Sequence, residues 1–463
     1  MAARVELRER LLQLALAGVA VVLGLGAGVD PRIAVAAAIG LAFVALVMAD
    51  LTIGLCLFAV IAFLDVLPAL GGSLVSFSKI VGFLLAISWL AKVSSTEEDS
   101  RKDFLAAHPT FTYVLALFIG WVALSLTWGE AAGEGTTPLM RYALNMILFL
   151  IVYTAVRTSK QAIWVLGAYV LGASLAAGYG VLNPPQNVAY YEVSRVSGTI
   201  GDPNELASAL VGGTVLALAL ALVLRRAPLL RLLAFGASAL CLAGIFLTLS
   251  RGGLVALLFA LAAAIVIGGR WRIMAVALAA VIGLSGYLYF VYFASPDAAN
   301  RITKVQGGTG RTDIWKVGWR MVQAHPVRGV GAGNFQTSSI HYLLQPGSIE
   351  RDEFIVDTPK VAHNTYLQVL AELGIVGAAL FLAIIGFSLL CTLKAARIFE
   401  RLGDTTLEVL SRALLVALFG VLAADFFISQ EFSKQLWLLI GLGPAFLGIA
   451  NSARDDHAPE VAQ

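Results

Sequence analysis

Charge is scarce in this chain. Only 13% of its 463 residues are Asp, Glu, Lys or Arg, about half the share of an ordinary soluble domain. That shortage excludes a water-solvated globule. The net charge of +3 is too small for a nucleic-acid surface, so no nucleic-acid partner is expected. Cysteine is nearly absent. Cys56, Cys241 and Cys391 each lie in an apolar run without disulfide or metal spacing, and read as small buried hydrophobes. No His-x-x-x-His pair and no internal repeat occur. What fills the chain is apolar: 59% of residues are hydrophobic and the mean hydropathy is +0.85. A bilayer span takes about 20 apolar residues, and many such runs are present. The fold class expected is an all-α polytopic membrane protein.

Apolar runs fall near 11–28, 32–49, 51–67, 78–94, 109–128, 139–157, 161–182, 205–225, 229–249, 252–269, 273–293, 364–391, 405–428 and 434–451. The first follows Arg4, Arg8 and Arg10 in the manner of a signal peptide. It is read as a retained span, because the topology closes only if it stays. With both termini cytoplasmic, the even-numbered gaps carry the basic residues, among them Lys92, Arg157, Arg225, Arg226, Arg270, Lys394, Arg397 and Arg401. The odd gaps carry few, which is a positive-inside asymmetry. The organisation expected is eleven spans in 1–293, a far-side loop at 294–362, three spans in 363–451, and a polar, disordered cytoplasmic tail at 452–463. The loop places Trp315, Trp319, Met321 and Val322 at amphipathic helical spacing. A turn-rich run, Gly329-Val-Gly331-Ala-Gly333-Asn334-Phe335, follows. One or two short helices packed over the membrane part are expected there.

The polar residues worth naming meet on the far side. Arg141 opens the sixth span. Arg195 sits in the loop 183–204 with Tyr190, Tyr191 and Asp202. Arg251, in Ser250-Arg251-Gly252-Gly253, has almost no loop around it, and Arg311 lies beside Asp313. An arginine in a short far-side loop defies the charge bias, and such residues usually meet a partner or a ligand. The guanidinium presents a fixed fork of donors that fits phosphate oxygens and never loses its charge. Several near a pyrophosphate stabilise it as a leaving group. A structural ion pair or a lipid-headgroup contact remains the alternative for each arginine taken singly. Asp65 and Asp425, near far-side helix ends, read as arginine counter-ions. His363-Asn364 closes the long loop at a helix start, where the macrodipole disfavours the imidazolium. A neutral imidazole suits a general base near neutral pH. Gly374 and Gly377 follow, which by themselves suit close helix packing. The scattered acids, including Glu350, Asp352 and Glu353 around Arg351, give no compact metal site.

His363-Asn364, then nine residues, then Gly374-x-x-Gly377, at the end of a far-side loop, resembles the signature of bacterial O-antigen ligases. Ser250-Arg251-Gly252 and the run Gly310-Arg311, Trp315, Pro326, Gly329-Val-Gly331 and Asn334-Phe335 are similar to the wider ligase/polymerase superfamily. The resemblance covers roughly the second half of the chain. It implies a GT-C-like fold of about 12–14 transmembrane helices with one long periplasmic loop. The reaction it implies moves O-antigen polysaccharide from an undecaprenyl-pyrophosphate donor to a sugar hydroxyl of lipid A–core. That would occur at the periplasmic face of the bacterial inner membrane, with inversion and with no metal or other cofactor. By the resemblance His363 matches the catalytic histidine, and Arg251 or Arg195 the essential arginines. Arg141 and Arg311 join them as donor-binding candidates, with Asn364, Tyr190, Tyr191, Gly374 and Gly377 in support. Membrane lipids are the remaining expected partners. An O-antigen polymerase and a protein O-oligosaccharyltransferase are rival enzymes of the same superfamily. The rival from another class is a lipid-linked-sugar transporter, which should place its charges near mid-membrane at broken helices.

Overall fold

The computed structural model describes residues 44–65, 77–95, 104–184, 194–303, 310–343 and 355–457, with residues 21, 24, 28 and 349. The first expected span and most of the second lie outside these residues, as do Tyr190, Tyr191, Glu350, Asp352 and Glu353. Among the described residues every regular element is helical. The main helices are α1 (Leu51–Ile61), α2 (Phe77–Ser95), α3 (Pro109–Ser125), α4 (Ala132–Ala155), α5 (Ser159–Leu182), α6 (Pro203–Val223) and α7 (Pro228–Leu247). They continue with α8 (Arg251–Ile267), α9 (Arg272–Leu288), α10 (Pro296–Thr303), α11 (Arg311–Ala324), α12 (Thr365–Leu402), α13 (Thr405–Ala424) and α14 (Lys434–His457). Eight described helices are long and apolar enough to cross a membrane, and α1, α3 and α8 are shorter apolar helices. Large apolar side chains face outward, with Ile273 85% and Leu182 81% exposed. Such surface is tolerable in lipid and not in water. The chain is a polytopic, all-α membrane protein.

Local chemistry sets the helix ends. Asp202 accepts from the amides of Asn204 and Glu205 at the start of α6, with Pro203 as its first residue. Ser250 caps α8 through Gly253 N, and Asn364 caps α12 through Leu367 N. Two expectations from apolar runs end too early. α12 runs past 391 to Leu402, because its polar last turns keep helical bonding until Gly403 adopts the left-handed conformation, φ 73. The polar tail is likewise helical as far as His457.

Hydrogen bonds between loops show which helix ends lie together. Lys434 Nζ holds both carboxylate oxygens of Asp65 at 2.8 Å, and Ser78 Oγ donates to the same group. Val196 N donates to Leu247 O and Thr199 Oγ1 to Phe63 O. Thr365 N donates to both Asp425 O and Ile428 O. The starts of α2, α6, α8, α12 and α14 therefore share one end with the termini of α1, α5, α7 and α13. At the opposite end Arg270 pairs with Glu408, and Arg412 bridges Glu400 and Glu408. The loop 294–362 folds over the first end. It has its own apolar core of Ile314, Val317, Met321, Phe335 and Tyr342, sealed against Ala371 of α12. Trp319, placed by its spacing on the inner face of that helix, is 53% exposed, while Trp315 turns inward and donates to Ala362 O.

Candidate active site

The site begins with a break in α12. Gly374 has φ 66 and ψ −172, which divides the helix. This region of backbone space is accessible essentially to glycine alone. A break orphans carbonyls, and buried carbonyls need partners. Val330 N takes Ala371 O at 2.9 Å, Gly331 N takes Glu372 O at 2.8 Å, and Trp121 Nε1 takes Leu373 O at 2.8 Å. The amide of Ile375 in turn reaches Pro326 O. The turn-rich run at 326–333 is thus stitched into the gap. A Cβ on Gly374 would collide with Val327 O, and one on Gly329 with Glu372 O. The side chain of Glu372 completes the stitch by accepting from Gly333 N and Gln368 Nε2. A Cβ on Gly377 would stand 3.1 Å from Trp121 Cδ1. The first glycine of the pair therefore serves the break rather than helix–helix packing. Gly374→Ala should cost about 3 kcal/mol or more, from forbidden backbone and a backbone clash together. Thermal unfolding of the purified variant measures this. An unchanged midpoint would contradict the stitched break.

The short helical segment ahead of the break presents His363. Its neighbour Ala362 is pinned twice, by its amide to Gln368 Oε1 at 2.7 Å and by its carbonyl to Trp315 Nε1 at 2.9 Å. On the other side Thr365 is tied to the loop 425–433 by its amide and hydroxyl. Between these anchors His363 takes φ 49, a conformation rare for a residue with a side chain. Among the described residues Leu249 is the other non-glycine with positive φ, at 47. It lies two residues before Arg251. Strain of this kind gathers where surrounding structure forces a side chain into place. His363 is half-buried. Burial first, and then Arg311 and Lys360, hold its pKa below the ordinary 6.5, while Asp202 acts the other way. The imidazole is thus held neutral, as a base requires.

Arg311 is the arginine that acts on it. Burial lowers the pKa of Arg311; Asp202 opposes that shift, and Arg301 and Arg251 reinforce it. Arg311 therefore shares a neighbourhood with His363 and Asp202, and Arg251 and Arg301 flank Arg311. Arg251 reaches it because α8 packs closely at its start. Gly252 leaves room for Phe427, whose Cβ stands 2.9 Å from where its own would be. Arg251 Nε then donates to Arg301 O at 2.7 Å. Arg195 joins from the side: Nε donates to Thr248 O and Nη2 to Asn204 Oδ1, both at 2.9 Å. Asn204 also accepts from Ser250 Oγ at 2.9 Å, which links the Arg195 loop to the cap of α8. Lys316 reaches Asp313 at 2.9 Å, so the acid beside Arg311 in sequence is engaged by a lysine.

Arg141 stands apart. Its guanidinium lies 5.5 Å from the ring centre of Phe432, and it is absent from the charges acting on His363 and Arg311. It faces Glu431, a buried loop acid whose pKa burial raises and Arg141 partly offsets. Two counter-ion expectations change. Asp65 pairs with Lys434, not with arginine. Asp425 is fully buried with no hydrogen bond to either carboxylate oxygen among the described residues. Arg301 and Lys360 are the site residues that sequence reasoning missed. Both lie in the long loop, without a flanking motif. Among the described residues no three of His, Cys, Asp or Glu converge as a metal set.

A neutral base beside clustered guanidiniums can deprotonate a hydroxyl next to an anionic group. No curated protein matches the chain. Arg195 lies outside the region of family likeness, whereas Arg251, Arg301, Arg311, His363 and Gly374 lie within it. Residues 236–382 match the family model described as O-antigen ligase.

Proposed function

We propose that the protein transfers O-antigen polysaccharide from undecaprenyl pyrophosphate to a sugar hydroxyl of lipid A–core, at the periplasmic face of the inner membrane. The family match supports the coarser statement, a membrane glycosyltransferase of the ligase/polymerase type acting on lipid-linked polysaccharide. The finer one rests on a single observation: a positioned His363 of lowered pKa beside Arg311, which Arg251 and Arg301 flank in turn. In this reading His363 takes the proton of the acceptor hydroxyl as its oxygen attacks the anomeric carbon. The bond from that carbon to the pyrophosphate oxygen breaks, and its electron pair leaves with the pyrophosphate. One displacement inverts the anomeric centre. The guanidiniums stabilise the charge on the leaving group, the task a divalent ion performs elsewhere. Charges at one end of the bundle, rather than at mid-membrane, favour this over transport.

The test is transfer by the purified protein from a lipid-linked donor to core acceptor, with and without excess EDTA. Product in both sets supports the reading. Activity restored only by Mg²⁺ or Mn²⁺ would overturn the arginine role. Deleting the gene in its host should give bare core and accumulated lipid-linked polymer. Core bearing one repeat would mark a polymerase instead.

The base makes its own pH prediction. Transfer should rise with pH as His363 loses its proton, with the acid limb below pH 6.5, since burial and Arg311 lower its pKa. Asp202 raises that pKa and Lys360 lowers it. Asp202→Asn should therefore move the limb to lower pH and Lys360→Gln to higher pH. pH–rate profiles of the three proteins decide this, and shifts of the opposite sign would assign the limb to another group.

A further inference from the structure

At the end of the bundle away from His363, α12 and α14 form an open cavity of about 430 Å³. Lys394, Arg397 and Arg401 line it from one face of α12, at positions three and seven residues along the helix from the first. Asn451 and Arg454 line it from α14, and Ile398 and Leu447 form its apolar floor. Four positive charges and no negative one face the space. Glu400 and Glu408 hold Arg412, Glu408 also holds Arg270, and Asp455 lies 3.5 Å from Arg454. Among the described residues Lys394, Arg397 and Arg401 have no ion pair. Three like charges on one helix face repel each other unless an anion lies between them.

We infer that this cavity binds the phosphate headgroup of an anionic phospholipid from the leaflet at that face. The volume falls in the range of small-ligand sites. Basic pockets between membrane helices suit headgroups with more than one phosphate. The walls favour a lipid over a soluble anion. The floor is apolar, and Leu390, one turn before Lys394, is 57% exposed and offers an acyl chain a path along α12. The site is independent of the transfer reaction.

Thermal unfolding of the detergent-purified protein tests it, with diphosphatidylglycerol, phosphatidylglycerol, phosphatidylcholine, inorganic phosphate or pyrophosphate added. The midpoint should rise with the two anionic lipids, more with the first, and not with phosphatidylcholine. In Arg397→Gln/Arg401→Gln/Arg454→Gln the half-saturating lipid concentration should rise by about tenfold or more. These side chains are exposed, so the fold should hold. Arg225→Gln/Arg226→Gln, an exposed basic pair in the turn between α6 and α7, should keep the wild-type response. Equal loss in both variants would reduce the effect to general surface charge. An unchanged triple variant, or a full response to phosphate or pyrophosphate alone, would overturn the lipid assignment.

Discussion

Replacing His363 by alanine should abolish transfer while the bundle stays folded. The rate should fall by at least the roughly 10²–10⁴ that a general base contributes. The protein should survive the change, because the scaffold around His363 is built from its neighbours. Ala362 is held by Gln368 and Trp315, and Thr365 by the backbone of Asp425 and Ile428. The imidazole itself makes no hydrogen bond among the described residues. Alanine keeps the strained φ of 49, so the unfolding midpoint should barely move. His363→Gly relieves the strain and should be equally inactive, which separates loss of the base from loss of shape. Near-normal transfer by a well-expressed alanine variant would end the assignment.

Much of this arrangement was visible in the sequence for physical reasons. Helices in lipid must be long apolar runs, so α5 to α9 and the starts of α12 to α14 stand where hydropathy puts them. Basic residues mark loop sides, so Arg311 could be grouped with His363 before any contact was known. What failed depended on three-dimensional context. Gly374 reads as a packing glycine until the loop at 326–333 is seen to occupy the break it makes. Asp65 finds Lys434 across 369 residues of chain, a pairing that no local pattern announces. Arg301 and Lys360 reach the site only because the long loop folds back over the bundle. Arg141 looks equivalent to the other far-side arginines in sequence, yet its helix places it against Phe432 and Glu431.

Arg311→Gln should lower transfer by about 10²–10³, the usual cost of removing one donor that stabilises a leaving-group charge. It should not lower the unfolding midpoint of the unliganded protein. The reason lies in the balance of charges around Asp202. Asp202 attracts Arg311, while Arg251 and Arg301 act on it as like charges. Removing one relieves repulsion in the empty site, whereas removing a structural ion-pair partner would destabilise the fold. A pyrophosphate-bearing lipid should raise the wild-type midpoint by binding the folded state, and should raise that of Arg311→Gln much less. Arg311→Lys should recover part of the binding and little of the rate, since a point charge cannot offer the guanidinium fork. Arg251→Lys should show the same rate loss with some loss of stability, because its Nε also holds Arg301 O. The decisive pattern is rate and donor protection falling together in Arg311→Gln while the unliganded midpoint holds. A lower unliganded midpoint with donor protection intact would make Arg311 a structural residue and leave the pyrophosphate to be held elsewhere.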